Sequence, residues 1–328
     1  MTVHDLDGYA TLPDYILGIT ERIWEGRGVH LIRRWYAPDC LVHTQAGPFT
    51  GADAMVAGTL ETLHSFPERQ LLAEDVIWSN DGPSLGLLSS HRIASTMRHL
   101  GDGLFGPPTG RALTTRTVAD CRVVGHRIVE EWLVRDQAGI ALQLGLDPVE
   151  HGHRLAVEDA ARGTTPWHLE EWDAVRRGEL APSAHLQDHP VACRIRDTLT
   201  AVVHDADLSL LRETHDRAVQ LILPRHRFES GIPALDAFLI GVLAALPDAR
   251  LSIDHSIALE EPGRPLRVAT RWRIAGTHAG RGAFGAPTGA KLLILGITHS
   301  ELVAGRVVRE YWLMDELSIH RMIGLQAG

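Results

Sequence analysis

The chain is poor in three things, and each shortage narrows its function before any motif is considered. Cysteine occurs only at Cys40, Cys121 and Cys193, far apart and with no Cys-x-x-Cys pair. That excludes a disulfide framework and a zinc-ribbon spacing, and makes a reducing cytoplasm the expected compartment. Basic charge is scarce: 32 Lys and Arg stand against 41 Asp and Glu, a formal net charge of -9. With no long basic block, neither a nucleic acid nor a membrane surface is expected as partner. Long apolar runs are missing too. The longest, Ala237 to Leu246, is far short of the roughly 20 residues a membrane span needs and reads as a buried helix. The first residues, Met1-Thr2-Val3-His4-Asp5-Leu6-Asp7, carry acids where a secretion signal needs a basic segment and an apolar run; export by that route is not expected.

What the chain does have is a repeat. Gly103-Leu104-Phe105-Gly106-Pro107-Pro108-Thr109-Gly110 returns as Gly282-Ala283-Phe284-Gly285-Ala286-Pro287-Thr288-Gly289, an offset of 179 residues. The same offset relates Glu131-Trp132-Leu133-Val134-Arg135-Asp136 to Glu310-Tyr311-Trp312-Leu313-Met314-Asp315, and Gly145 to Gly324. Upstream, Phe66-Pro67-Glu68-Arg69 matches Leu246-Pro247-Asp248-Ala249 with a slip of one. Such self-similarity is the mark of a duplicated structural unit. The expected division is residues 1–147, a connecting segment 148–189, and residues 190–328.

Within each copy the pattern is helix first and strand after. Asp14 to Glu25 and Asp53 to His64 place apolar residues at near-helical spacing. Glu74 to Trp78, Leu85 to Thr96, Leu113 to Val124 and Ile128 to Val134 have strand lengths and β-branched content, with Gly, Pro and Asn between them. The second copy repeats the order, with helices at Cys193 to His204 and Ala234 to Leu246, then four strand runs. Helices followed by antiparallel strands predict an α+β fold. In the connecting segment, Thr165-Pro166 reads as a helix start, Leu169, Trp172 and Val175 as an apolar stripe, and Gly178 as a stop.

These anchors resemble the SnoaL-like polyketide cyclase family, whose members carry a Gly-x-Phe-Gly-x-Pro-x-Gly hairpin and a last strand of the type Glu-Glu-Trp-x-x-x-Asp leading to Leu-Gly. The resemblance covers both copies. It implies a nuclear-transport-factor-like cone, a curved antiparallel sheet wrapped by helices, and a superfamily that holds isomerases, dehydratases, epoxide hydrolases and noncatalytic binding domains; fold alone does not choose among them. In cyclases of this type the carboxylate matching Asp136 or Asp315 is the general acid/base of an aldol closure. Single-copy relatives often dimerise, so the two copies are expected to form an intramolecular pseudo-dimer, with further homo-oligomers open.

The candidate site follows. Asp136 and Asp315 end apolar strands, and by the strand period share a face with Trp132 and Tyr311. A carboxyl against aromatic walls is desolvated and can exchange protons near neutral pH. The alternative is a strand-end Asp that caps the next turn. His43 stands where the family often has a pocket-facing His, with Gln220 as its counterpart. His91 and Arg92 lie inside a strand whose counterpart is Arg271-Trp272-Arg273; an arginine facing a pocket can hold a carboxylate, and on the outer face it is a solvated charge. Trp78, Trp132, Phe105, Phe284, Trp272, Trp312 and Tyr311 are expected to line an apolar pocket, or else to pack as ordinary core.

Several chemistries are set aside. The Gly-rich hairpins precede no helix of a βαβ unit and are not dinucleotide sites. Despite 19 histidines, no metal-binding helix pair is present, and no Gly-x-Ser-x-Gly elbow. The expectation is a cofactor-independent and metal-independent acid/base enzyme acting on a small hydrophobic carbonyl compound, by aldol closure, isomerisation or dehydration. The competing expectation is a noncatalytic ligand-binding or scaffold protein of the same fold; epoxide hydrolysis is a weaker third.

Overall fold

In the computed structural model, which describes residues 5–82, 85–180, 182 and 186–327, the chain forms two compact units, Met1–Leu146 and Asp147–Gly328. Parts of the segments read above, at residues 1–4, 181 and 183–185, lie outside the described residues.

The first unit opens with α1 (Leu12–Thr20), started by Thr11, whose hydroxyl accepts the Asp14 amide, and by a proline in the first turn. It runs on into a π-helical turn, Glu21–Glu25. A short helix, α2 (Ile32–Trp35), leads into β1 (Tyr36–His43) and β2 (Phe49–Thr50), then α3 (Ala52–Ser65), and β3 (Gln70–Asn80), β4 (Leu87–Arg98), β5 (Ala112–Val124) and β6 (Arg127–Arg135) follow, closed by α4 (Gln137–Leu144). The strands form one sheet in the order β2-β1-β6-β5-β4-β3. The expected curved antiparallel sheet runs through β3, β4, β5 and β6, and one pair of the other sense joins it. β1 and β6 pair in parallel, which is possible because the whole of β2 to β5 serves as the crossover between them. α1 packs on β3 and β4, and α3 on β1 and β2.

The second unit begins with two helices from the connecting segment. α5 (Pro148–Ala161) starts at Asp147, which accepts the Val149 and Glu150 amides, with Pro148 in its first turn. α6 (Leu169–Arg177) ends at Gly178 in the left-handed region, as its sequence predicts. Its start differs: His168, not Thr165, takes the cap position. The indole of Trp172 donates to the Gly276 carbonyl at 3.1 Å, which ties α6 to the second sheet. The repeat then proceeds as α7 (Pro190–Asp205), α8 (Leu211–Thr214), β7 (His215–Leu223), β8 (Arg227–Ser230), α9 (Ile232–Ala245), β9 (Arg250–Leu259), β10 (Leu266–Thr277), β11 (Lys291–Val303), β12 (Arg306–Met314) and α10 (Glu316–Gly324). Its sheet order, β8-β7-β12-β11-β10-β9, is the first order transposed. Phe105 and Phe284 occupy the same β4–β5 and β10–β11 connections, each closed by matching backbone bonds, His99 N to Arg111 O and His278 N to Ala290 O.

The two cones are filled differently. The β10–β11 register sets Trp272 opposite Gly296, and a side chain on Gly296 would start 2.2 Å from the indole ring. Trp272 packs on Trp312 with ring centres 5.8 Å apart, and Trp312 on Phe238 at 5.5 Å. The equivalent positions of the first copy are Ile93, Thr117 and Leu133. The wide side chains leave a cavity of only about 20 Å³ in the second cone. Since a packed ring cannot give way cheaply, Gly296→Ala should lower stability by about 1–3 kcal/mol, and Trp272→Ile in the same chain should recover much of that loss. Urea denaturation of the two single variants and the double variant checks this; additive losses would exclude the proposed clash.

Candidate active site

The first cone keeps open space. An inner chamber of about 60 Å³ lies under α1 and α3 and contains Glu131, His91, Tyr36, Cys121 and Thr117 in its wall. An outer vestibule of about 370 Å³ is walled by α3, the Phe105 loop and the start of α4. Arg69, Thr117 and Arg135 belong to both and stand between them.

Sheet alternation explains how these groups meet. Along β6, Glu131, Leu133 and Arg135 point into the cone, and the register sets Glu131 opposite Cys121, Leu133 opposite Ala119 and Arg135 opposite Thr117. β4 contributes His91 and Ile93, paired with Ala119 and Thr117. The π-helical turn after α1 brings Trp24 to the wall; such turns often mark functional sites. Arg69 arrives from the tight turn after α3, its amide bonded to the Phe66 carbonyl at 3.1 Å.

The chamber concentrates unsatisfied polarity. Glu131 Oε2, His91 Nε2, Thr117 Oγ1 and Arg69 Nε are all buried without a protein hydrogen-bond partner. Buried polar groups are ordinarily paired, because an unpaired one costs about 1–3 kcal/mol. Four around one small space mark a site arranged for a polar ligand. Burial pushes the Glu131 carboxyl up to about 7, with Arg135 and the Tyr36 hydroxyl, which donates to it, pulling the other way. Burial, then Arg92, holds His91 down at about 4, so it is neutral at neutral pH. Tyr36 and Cys121 are pushed well above their usual values by burial and stay protonated. Glu131 is therefore the chamber group poised to trade a proton near pH 7.

The second cone holds the same carboxylate in another state. Glu310 receives the Ser300 hydroxyl at 2.7 Å and the Trp312 indole at 2.7 Å, and lies 3.2 Å from His215 Nε2. Although burial pushes this carboxyl up, His215 and the two donors bring it below the usual range. The His91, Thr117 and Arg135 positions are Thr270, Gly296 and Met314 there, and Arg69 is replaced by Ala249, whose amide makes the same turn bond, to Leu246.

Of the residues singled out from sequence, His91 lines the chamber and Phe105 the vestibule. The others lie elsewhere. Asp136 caps α4, its carboxylate accepting the Gly139 amide at 3.0 Å, and Asp315 caps α10 through the Ser318 amide and hydroxyl; neither lines the chamber, the vestibule or the small cavity of the second cone. The face assigned to β6 is reversed: Trp132 points away from the chamber and stacks on His43 at 5.0 Å, while His43 Nε2 lies 3.0 Å from Glu130. The counterpart of His43 is not Gln220 but Ile222, because His43 pairs with Trp132 and Ile222 with Tyr311. Gln220 is exposed and accepts two bonds from Arg309. Arg92 is bound to Glu74 at 3.0 Å, Trp78 packs against the first core, and Arg271 lies fully buried 3.9 Å from Asp254. Trp272 and Phe284 are core residues, and Tyr311, at the Trp132 position, is buried outside the cavity. Glu131, Arg69 and Arg135 were missed. The signal for the first was present: two adjacent acids, Glu130 and Glu131, must point to opposite faces of a strand.

A family model described as SnoaL-like polyketide cyclase matches residues 15–144 and again 194–323. Comparison with curated proteins gives no match. Among solved structures, IdmH from Streptomyces antibioticus, described as a candidate polyketide cyclase, is 26% identical over 40% of this chain and 96% of its own, with a TM-score of 0.35. AclR from Streptomyces galilaeus, described as a candidate hydroxylase, is 25% identical over 40% of this chain and 78% of its own, at 0.35. A SnoaL-like polyketide cyclase from Agrobacterium tumefaciens is 17% identical over 41% and 98%, at 0.33.

The Glu131 shift carries a signature in stability. A carboxyl with a folded-state value of about 7 against a usual 4.5 keeps a proton that the unfolded chain has already lost. Its contribution is thus most favourable below pH 4.5, declines as pH rises, and levels off above about 7. Glu131→Gln lacks this slope, so over that window its stability relative to the parent should improve by on the order of 3 kcal/mol. Denaturant titrations at stepped pH measure the difference, and a flat difference would show that Glu131 is not shifted.

Proposed function

The chain belongs to the SnoaL-like polyketide cyclase family over both of its halves, and from that premise we propose that its first copy is a cofactor-independent acid/base enzyme for a small, largely apolar carbonyl compound. The observation that carries this is the convergence of Glu131 Oε2, held near neutral titration, with the unpartnered, neutral His91 Nε2 on one small chamber. In the step that aldol closure, isomerisation and dehydration have in common, ionised Glu131 takes a proton from the carbon next to the substrate carbonyl. The electron pair of that C–H bond moves toward the carbonyl oxygen. His91, as its Nε2–H tautomer, donates a hydrogen bond to the oxygen as it becomes an enolate, and the now protonated Glu131 gives the proton to carbon in an isomerisation, to the departing hydroxyl in a dehydration, or, in an aldol closure, to the alkoxide left when the enolate carbon bonds to a second carbonyl. The apolar wall of Ile16, Ile19 and Ile93 keeps water from competing for that proton.

The second copy is assigned a structural role. Its four replacements remove the cationic and the unpartnered groups together, and two tryptophans occupy the space. A noncatalytic ligand-binding or scaffold role for the whole chain is the second reading, its scaffold form favoured by that filled cone.

Asp136 is the family's expected acid/base position, so the test separates it from Glu131. The probe is 2-tetralone in deuterated buffer, with loss of its α-proton signals followed by NMR. Glu131→Gln should slow the protein-dependent exchange by about a hundredfold or more. Asp136→Asn, which keeps a good capping side chain, should leave it within a few-fold. The reverse pattern would return the role to Asp136, and no exchange above buffer would favour the noncatalytic reading.

A further inference from the structure

Among the described residues Arg69 has no counterion. Its side chain is only 8% exposed, and among the described residues Arg92, Arg267, Arg271 and Arg273 are buried as deeply. Each of those four has a carboxylate: Glu74 for Arg92, Glu261 for Arg267, and Asp254 for Arg271 and Arg273 at 3.9 and 3.2 Å. Arg69 has none within ion-pair reach among the described residues. Its Nη2 donates to the Ser95 hydroxyl at 3.3 Å and its Nε has no partner. Burial, and after it the positive charges of Arg135 and Arg27, pulls the guanidinium down to about 9, which leaves it cationic at neutral pH. A buried, uncompensated charge beside others of its sign is an expensive arrangement, stable only because the rest of the fold imposes it.

We propose that Arg69, with Arg135 beside it, seats the carboxylate of the substrate, which is therefore a carbonyl compound bearing a free carboxylate group. Arg69 borders both the chamber and the vestibule. An anion held there leaves the attached carbonyl end to reach Glu131 and His91 on the inner side. The planar guanidinium fork suits a carboxylate, and the vestibule wall of Phe66, Met97 and Phe105 suits an organic anion over an inorganic one. Two acids also face the vestibule, Glu61 and Asp102, but both are exposed at its rim, where solvent screens them, and Asp102 accepts the Gly103 amide at 2.8 Å. The second copy loses the two arginines together with its cavity, as Ala249 and Met314. The carbonyl half of this assignment rests on the acid/base reading of the chamber; the anion seat rests on Arg69 alone.

The test is calorimetric binding of 4-acetylbenzoate and of its neutral methyl ester to the full chain, with inorganic phosphate as a third ligand. The acid should bind about tenfold or more tightly than the ester, and phosphate more weakly than the acid. Arg69→Met should abolish the preference, lowering affinity for the acid by about tenfold or more and leaving the ester within about twofold. It should also raise the melting temperature of the ligand-free protein, since an unpaired buried charge is gone. Should Arg69→Met fail to fold, Arg69→Lys, which keeps charge without the fork, is expected to retain part of the preference. An acid-to-ester ratio near one, a ratio unchanged by either variant, phosphate binding as tightly as the acid, or no binding of either organic probe overturns the proposal. Glu131→Gln separates the two readings. If it leaves tetralone exchange intact while the ratio still depends on Arg69, the acid/base reading falls and the anion seat stands.

Discussion

An ionisable group can be kept inside an apolar cone only at a cost, and most of what distinguishes the two copies follows from how that cost is met. In the second copy the buried carboxylate of Glu310 has three partners, so its charge is compensated and the space around it can be closed with Trp272 and Trp312. In the first copy Glu131 has Tyr36 and one oxygen without a partner. Nothing closes the space beside it. Around this carboxylate, unsatisfied polarity and open volume occur together in the first copy and give way together in the second, which is what a retained site and a converted one would look like after a duplication.

The copies also show how small a difference separates these states. Position 36 and its counterpart 215 both begin the strand that runs parallel to the last one. Tyrosine there donates a hydrogen bond without charge and leaves desolvation as the larger influence on Glu131. Histidine there can carry a positive charge, and with Ser300 and Trp312 it reverses the balance at Glu310. The same carboxylate on the same strand is thus driven in opposite directions by its neighbours, in accord with the competition between burial and local donors.

Much of the fold was legible in the sequence because it was written twice. The constant offset, the Phe105 and Phe284 connections and the strand-length runs could be checked against each other, and the element order of one copy confirms that of the other. Two features were less legible. α5 was hidden because its apolar positions, such as Leu155 and Ala156, are few among His, Glu and Arg, although Asp147-Pro148 is as good a start signal as Thr165-Pro166. β1 was hidden because Tyr36 to His43 contains a proline and an aspartate, which demote a strand on propensity; its parallel pairing with β6 overrides them.

The site was less legible than the fold, and the reason is the burial of β6 on both faces. In a half-buried strand the polar residues show which side meets water, but Trp132 and Val134 are as buried as Glu131 on the opposite side. With no exposed face, the alternation offers two equivalent answers, and the aromatic side is the tempting one. A pocket for an apolar ligand is expected among aromatics, yet here the large ring of Trp132 is used to stack His43, and the chamber wall takes its rings from Trp24 and Tyr36, beside Ile16, Ile19, Ile93 and Leu133. The more informative sign was Arg135. A strand that carries Glu131 and Arg135 four residues apart puts both on one face, and two opposite charges on a face that is otherwise Leu133 are unlikely partners for a dry core. In the second copy the same face reads Glu310, Trp312 and Met314, one acid followed by two large apolar groups. The contrast between Glu-Leu-Arg and Glu-Trp-Met along one face separates an open, charged chamber from a filled one, using only residues that alternate along the last strand.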